Sequence, residues 1–201
     1  MKKKFLVIII LIVLPVMVFA ETQWFDISVG LSMFRNVNEV ATPLEFNDII
    51  DIDAYDFKAE IRNKLLFFEF DMVGSPYITS AGALQFDGLF LFGFTDDIFN
   101  FARISFCVGP DFTYINDGTK SVMIVQGNVI ETNSLVDLLS ESTYTFRAGI
   151  DFLLGNVMKV GVAYTLPTEY SLQSGDLNLL VPNNDNWKEG EISFSILMTL
   201  V

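Results

Sequence analysis

Charged residues recur at every second position along several stretches of this sequence, and that spacing decides what chemistry they can do. In residues 143–154, Arg147 and Asp151 share one face with small residues, and Ile150 and Phe152 lie on the other face. A period of two is that of a β-strand. Carboxylates that face Arg and Lys on neighbouring strands favour an ion-pair network over general acid–base catalysis. The charges predicted for this face are Asp56, Lys58, Glu60, Glu69, Asp87, Arg103, Arg147, Asp151 and Lys159.

Residue types needed for most catalytic sites are absent. The chain has no histidine, which removes catalytic triads, histidine metal sites and most general-base schemes at neutral pH. It contains no G-x-S-x-G, P-loop or G-x-G-x-x-G motif. Its one cysteine, Cys107, has no partner for an internal disulfide and is predicted to be a buried small residue. The sequence therefore predicts no enzyme, and no catalytic, cofactor-binding or metal-ligating residue.

An acidic segment, 36–53, is the one feature that suggests a cation. Hard divalent cations bind several oxygen ligands, so a cation site is one interpretation of this segment. The spacing is not that of an EF-hand, which favours the other interpretation, a solvated acidic loop. Its acidic residues are Glu39, Glu45, Asp48, Asp51 and Asp53.

Composition excludes two broad classes of protein. The 201 residues are 51% hydrophobic and only 18% charged, with a mean hydropathy of +0.44, so the chain has ample apolar surface to bury and is not disordered. Its net charge of −13 disfavours nucleic acid, whose binding depends on clusters of Lys and Arg.

The N-terminus has the pattern of a secretory signal peptide. Three lysines precede an apolar run over 5–14, and Val18-Phe19-Ala20 resembles a cleavage site. A membrane-anchoring helix is the alternative, but the apolar stretch is shorter than the roughly 20 residues that a span needs, and Pro15 interrupts it. We predict a signal peptide over 1–20 and one β-barrel domain over 21–201.

Eight alternating runs follow, and their connections alternate in length. Short connections are predicted near Asn63, Asp96 and Gly155. Longer ones cover 36–53, 74–82, 115–142 and 167–186, and two short strands within 115–142 are predicted to extend the sheet. The predicted strands cover 24–35, 54–62, 65–72, 83–94, 98–114, 143–154, 157–166 and 189–201. Long loops on one side and tight turns on the other are typical of an all-β, antiparallel up-and-down membrane barrel.

Tyrosines on the apolar face support a membrane setting. Tyr55, Tyr114, Tyr144 and Tyr164 all lie at the long-loop ends of their strands. Amphipathic rings collected at one membrane boundary form an aromatic girdle.

The two faces predict which side of the barrel is apolar. Eight strands enclose an interior just wide enough for side chains to fill it. Small residues and charges of both signs suit that interior, whereas a face rich in Phe is too bulky for it. The sequence therefore predicts a barrel with its apolar face in lipid, and a soluble lipocalin-like binding barrel in the periplasm is the alternative.

This pattern, spread over 24–201, resembles small bacterial outer-membrane barrels of the OmpX, OmpW and OmpA-transmembrane-domain type. The resemblance implies a place in the cell outer membrane, insertion by the barrel-assembly machinery, and loops 36–53, 115–142 and 167–186 that meet host or extracellular ligands. Such families usually end in an aromatic residue, and here the chain departs from them, because it ends Met198-Thr199-Leu200-Val201. The function predicted first is a structural or surface-interaction role. A narrow channel for small or hydrophobic molecules, as in OmpW-like barrels, is the alternative.

Turn geometry predicts which charges face each other. A three-residue loop over 154–156 places Asp151 opposite Lys159, with the left-handed conformation at Asn156. A two-residue turn at 63–64 places Lys58 opposite Glu69, and Asp56 near Asp71.

Overall fold

A computed structural model describes residues 24–39, 51–98, 101–116, 118, 120–125, 128–131, 134–182 and 186–200. The strands are β1 (Phe25–Asn36), β2 (Asp56–Leu65), β3 (Phe68–Ile78), β4 (Leu84–Asp97), β5 (Ala102–Asn116), β6 (Ser121–Val125), β7 (Asn128–Glu131), β8 (Thr143–Leu154), β9 (Met158–Pro167) and β10 (Glu191–Thr199). Two short helices are α1 (Leu135–Glu141) and α2 (Asn186–Glu189). Within these described ranges, no helix has the length and apolar character needed to cross a membrane.

Eight of the strands close into a barrel. Their order is β4-β3-β2-β1-β10-β9-β8-β5, and β5 pairs back with β4 to close the ring. Every pairing is antiparallel. Closure leaves no unpaired strand edge around the ring. The predicted up-and-down barrel is confirmed.

Connections on the two sides of the barrel differ in length, as predicted. The short side has the turns 66–67, 98–101 and 155–157. On the other side, which we call the loop side, lie the connections 37–55, 79–83, 117–142 and 168–190. The predicted long connection over 74–82 is wrong. There β3 continues to Ile78 and pairs with β4 throughout, and the Phe86 ring fills the space beside Gly74 that a side chain would take.

The predicted turn between β2 and β3 is also wrong. Strand β2 runs on through Lys64, and the turn lies at Leu66 and Phe67, with Leu66 in the left-handed region at φ 59°. Lys64 therefore faces Glu69, which corrects the predicted pairing of Lys58 with Glu69. Likewise, Asp71 faces Arg62 and not Asp56. A polar Asn-Lys pair resembles a turn in sequence, but here it continues the alternation of the strand.

Between β4 and β5, the three polar residues 95–97 were predicted to form the turn and instead end β4. Thr95 pairs with Ser105 and Asp97 with Arg103, so the turn moves to 98–101. Asp97 consequently lies in the barrel interior.

The β8–β9 connection has the predicted length of three residues but a different position. It spans 155–157, because Gly155 adopts the left-handed conformation at φ 65° as the first residue of the loop. Leu154 then pairs with Met158, and Asp151 faces Gly161. The predicted facing pair of Asp151 and Lys159 is wrong, although both side chains are buried inside as expected.

The two faces of the barrel wall are as predicted. On β4, Phe92 and Phe94 point outward and are exposed, whereas Leu89 and Leu91 are buried in the interior. Large outward side chains that remain exposed include Leu31, Phe57, Ile61, Phe70, Phe106, Ile150, Val162 and Ile196.

The predicted extension within the third long connection forms the hairpin β6–β7. Its first strand pairs with the loop-side end of β5. Met123 of β6 is fully buried against Phe112, and Leu139 of α1 packs on the same cluster. This apolar contact holds the hairpin and helix against the outer rim of the loop side.

Candidate functional site

Among the described residues, the barrel interior contains two separate groups of buried ion pairs. The first, which we call the turn-side cluster, lies near the short turns and comprises Asp26, Lys64, Asp97, Arg103 and Lys159. Arg103 bridges its two carboxylates, with Nε 2.6 Å from Asp97 Oδ1 and Nη1 2.5 Å from Asp26 Oδ2. Lys64 Nζ donates to Asp97 Oδ2 at 2.5 Å, and Lys159 donates to Asp26. Three cations and two anions leave this cluster with a formal charge of +1.

The second group, the central cluster, comprises Glu60, Arg62, Asp71, Arg147 and Asp151. Both arginines bind Glu60 Oε1, Arg62 Nη2 at 2.6 Å and Arg147 Nη1 at 2.9 Å. Arg62 also donates to Asp151 across the barrel. Asp71 is held less closely, 3.5 Å from Arg62 Nε and 3.7 Å from Arg147 Nη1. Two cations and three anions give a formal charge of −1.

Glu69 lies beside the central cluster and forms no ion pair within 4 Å in the described part of the chain. Its Oε1 accepts from the Cys107 thiol, with Sγ 3.8 Å away. Its Oε2 is buried without a hydrogen-bond partner, as is Oδ1 of Asp71. Gly93 of β4 pairs with Glu69 of β3 on one side and with Cys107 of β5 on the other. Because glycine has no side chain, nothing separates the Glu69 carboxylate from the Cys107 thiol.

An apolar cluster fills the interior next to these charges. It comprises Phe34, Val73, Leu89, Leu91 and Cys107, all buried. The Phe34 ring also contacts two cations, with Lys58 Nζ 4.6 Å and Arg147 Cζ 5.7 Å from the ring centre. Ion pairs and this cluster together occupy the cross-section of the barrel, as expected for eight strands.

The outer wall has the opposite chemistry. Phe106 is 62% exposed and Ile196 54% exposed, whereas Arg103 and Glu60 inside are 0% and 1% exposed. A barrel in water would bury its Phe side chains and expose its charges. This one does the reverse, and its closed ring satisfies the backbone without water, as a bilayer requires. The protein is a small transmembrane β-barrel.

Two of the four predicted tyrosines, Tyr144 and Tyr164, lie with aromatic partners at the loop-side boundary of the barrel, whereas Tyr114 packs against the cluster that holds the β6–β7 hairpin. Tyr164 stacks on Trp187 of α2 at 6.0 Å between ring centres and donates its hydroxyl to the Trp187 carbonyl at 2.6 Å. Tyr144 packs edge-on against Tyr170. These rings have one apolar end and one polar end, which suits a membrane interface. Two of them, Trp187 and Tyr170, lie in a connection where no strand periodicity could have indicated them.

A groove of about 430 Å³ on the outer wall belongs to the lipid-facing surface and not to the interior. Outward side chains of β4, β5, β8 and β9 line it, and the girdle residues Tyr164 and Trp187 close it on the loop side. Its lining is almost wholly apolar, so it provides no path for ions or polar solutes across the barrel.

The structure brings together only part of the predicted charged set. Glu60, Glu69, Arg103, Arg147, Asp151 and Lys159 are buried inside as predicted. Asp56 is exposed, and Lys58 and Asp87 are half-buried, at the loop-side ends of their strands. The predicted charged set lacked Asp26 and Arg62, although both lie in predicted strands. It also lacked Lys64 and Asp97, which continue the alternation beyond the points where their strands were expected to end.

The acidic segment 36–53 lies mostly outside the described residues. Asp51 and Asp53 are exposed, and the positions of Glu45 and Asp48 are not described. The predicted signal peptide, residues 1–20, also lies outside the described part of the chain.

Among known proteins, similarity to this chain is found in solved structures. No protein-family model matches the chain, and no curated protein sequence matches it. Among solved structures, it is similar to the attachment invasion locus protein Ail of Yersinia pestis, with 10% identity and a TM-score of 0.39, covering 87% of this chain and 95% of that one. A second structure of Ail, in complex with the heparin analogue sucrose octasulfate, gives 9% identity and a TM-score of 0.36 over the same shares. At this level the similarity carries no functional argument, and the barrel assignment rests on the strand order and the two faces.

Proposed function

We propose that this protein is a non-conducting outer-membrane barrel of a bacterial envelope, with a structural or surface-interaction role performed on its loop side. The observation that carries this proposal is the filled interior, where two ion-pair clusters and an apolar cluster occupy the space that a channel would need. A lumen packed in this way acts as a rigid support for the loops and not as a transport path. No catalytic activity is proposed.

Export and assembly follow from the same proposal. Residues 1–20 act as a cleaved signal peptide, and the barrel-assembly machinery inserts the mature chain into the membrane. Mass spectrometry of the membrane-purified protein tests the first step, since the mature chain is expected to begin at Glu21. An intact Met1 in the envelope fraction would favour the anchoring helix.

The charge of the loops indicates the kind of partner. Segments 36–53, 115–142 and 167–186 contain twelve acidic residues and one lysine. Such a surface repels polyanions and attracts cationic partners at long range. We expect a basic protein or peptide as the ligand, in contrast to the sulfated sugar in the second Ail structure.

Conductance and loop accessibility together test the role. The refolded protein in planar bilayers is expected to give no single-channel steps, and protease added to intact cells is expected to cut the loops and spare the strands. A general porin refolded into the same bilayers serves as the control that conduction can be detected. Regular channel steps from the unmodified protein would refute the non-conducting role and favour the narrow-channel alternative.

Partner charge is tested by binding to intact cells that display the protein. We expect fluorescent polylysine to bind and sucrose octasulfate not to bind. A variant with Asp51→Asn, Asp53→Asn and Glu169→Gln removes three exposed loop charges and is expected to weaken polylysine binding. Binding that is unchanged in this variant would show that these three charges do not select the partner.

A further inference from the structure

The charges buried inside the barrel do not balance. The turn-side cluster carries +1 and the central cluster −1, and Glu69 adds a further negative charge that no cation within 4 Å compensates. The two clusters and Glu69 together therefore carry a formal charge of −1, placed in surroundings from which water is largely excluded. An uncompensated charge in such a place is costly unless a proton or another cation neutralises it.

The excess negative charge lies beside the only thiol of the chain. Oxygen atoms of Glu69 and Asp71 and the sulfur of Cys107 all lie within 4.8 Å of one another, and all three residues are buried. Glu69 Oε2 and Asp71 Oδ1 have no hydrogen-bond partner. Asp71 makes only the long contacts to Arg62 and Arg147 already described, so its oxygens remain available to a ligand.

We propose that Glu69, Asp71 and Cys107 bind one zinc ion inside the barrel. Zinc takes carboxylate oxygens at about 2.0–2.2 Å and thiolate sulfur at about 2.3 Å, which places tetrahedral ligand atoms about 3.4–3.6 Å apart. Side-chain movements of roughly an ångström would bring the three groups to that spacing. A water molecule or the second oxygen of Glu69 completes the four ligands.

Charge balance supports a divalent ion. When zinc binds, the Cys107 thiol loses its proton, a zinc–sulfur bond forms, and the proton leaves to solvent. The ion adds two positive charges and the thiolate one negative charge, so the formal charge of the two clusters, Glu69 and Cys107 together changes from −1 to zero. A thiolate with two carboxylates is a mixed ligand set that suits the borderline character of zinc better than the all-oxygen preference of magnesium or calcium.

Position in the fold explains how such a site is held and filled. Glu69 and Asp71 are two residues apart on β3, so their side chains point to the same side of the sheet. Cys107 reaches them from β5 across Gly93 of β4, which has no side chain to intervene. Because the packed interior blocks entry, the ion is acquired as the barrel closes, and metal content depends on zinc being present during folding.

Metal analysis of refolded protein tests the site. The chain is unfolded in urea with a chelator and refolded into detergent with or without zinc chloride, and bound zinc is measured by mass spectrometry after desalting. We expect about one zinc per barrel, and a melting temperature that rises with zinc concentration present during refolding. Heat-dependent migration on gels reports whether each sample contains a folded barrel.

Matched variants separate the site from the rest of the interior. Cys107→Ser, which keeps the size of the side chain, and Glu69→Gln are expected to lose the zinc and the rise in melting temperature. Asp97→Asn removes a buried carboxylate in the turn-side cluster and is expected to retain both. A folded unmodified barrel without stoichiometric zinc would overturn the proposal, as would zinc retained in folded Cys107→Ser. Neither result bears on the loops, so the proposed surface role is tested independently.

Discussion

Removal of Arg62 or of Asp151 should destabilise the barrel by unequal amounts. In the described residues, the one ion pair of Asp151 is with Arg62. Gly161 faces it on β9, and Arg103, which faces it on β5, is bound to Asp26 and Asp97 instead. An Arg62→Met variant therefore leaves a buried carboxylate unpaired, which costs about 3–5 kcal/mol. Asp151→Asn leaves Arg62 bound to Glu60 and lowers the excess negative charge of the central cluster. Its cost is expected to be about 1–2 kcal/mol.

A double-mutant cycle measures the interaction itself. We expect a coupling energy of about 1–3 kcal/mol between Arg62 and Asp151, because the two groups are in direct contact. The matched control is a cycle on Asp151 and Lys159, whose coupling should be within about 0.5 kcal/mol of zero, since Lys159 binds Asp26 instead. Reversible urea unfolding in lipid vesicles, followed by tryptophan fluorescence, gives the free energies of unfolding.

The control decides the strand register. A larger coupling for Asp151 with Lys159 than for Asp151 with Arg62 would refute the β8–β9 register and favour the pairing expected from a loop over 154–156. Equal costs for Arg62→Met and Asp151→Asn would show that the central cluster does not carry an excess of negative charge.

Two further substitutions test the wall of the barrel. Ile150 is at an exposed outward position near mid-strand, so Ile150→Arg should cost about 2–4 kcal/mol of folding free energy in liposomes. The matched control, Ile150→Leu, should be nearly neutral. An Arg variant as stable as the parent would mean that this face does not contact lipid. Gly161→Ala should cost about 1–3 kcal/mol by overpacking, because the added methyl would meet the Asp151 carboxylate and the Ser195 hydroxyl. Gly149→Ala should cost less in the same unfolding assay, because its methyl would meet Ala163 and Ser105 only at 3.2 Å. A larger cost for Gly149→Ala than for Gly161→Ala would contradict the packing around Asp151.

Much of the fold could be predicted because strand alternation is a local property. The sequence shows which residues share a face, and the face assignments of β4, β5, β8 and β9 are confirmed. Closure of eight strands then leaves room inside only for the small and charged face. The inside-out barrel and its tyrosine girdle follow from these two facts without knowledge of any contact.

The candidate zinc site could not be predicted from the same pattern. Cys107 is about forty residues away from Glu69 and Asp71 in the chain, and it reaches them only because β3, β4 and β5 are consecutive neighbours with Gly93 between them. Nothing in the spacing of the three residues resembles a metal motif. Their proximity depends on the strand order and on the register of two successive pairings.

Ion-pair partners are decided by tertiary structure for a related reason. Moving a turn so that facing residues shift by two positions keeps every side chain on its face, because the strand period is two, but it changes every partner. The sequence therefore determined that Asp151 and Lys159 point inward. Only the turn at 155–157, fixed by the left-handed Gly155, directed Lys159 to Asp26 and Asp151 to Arg62.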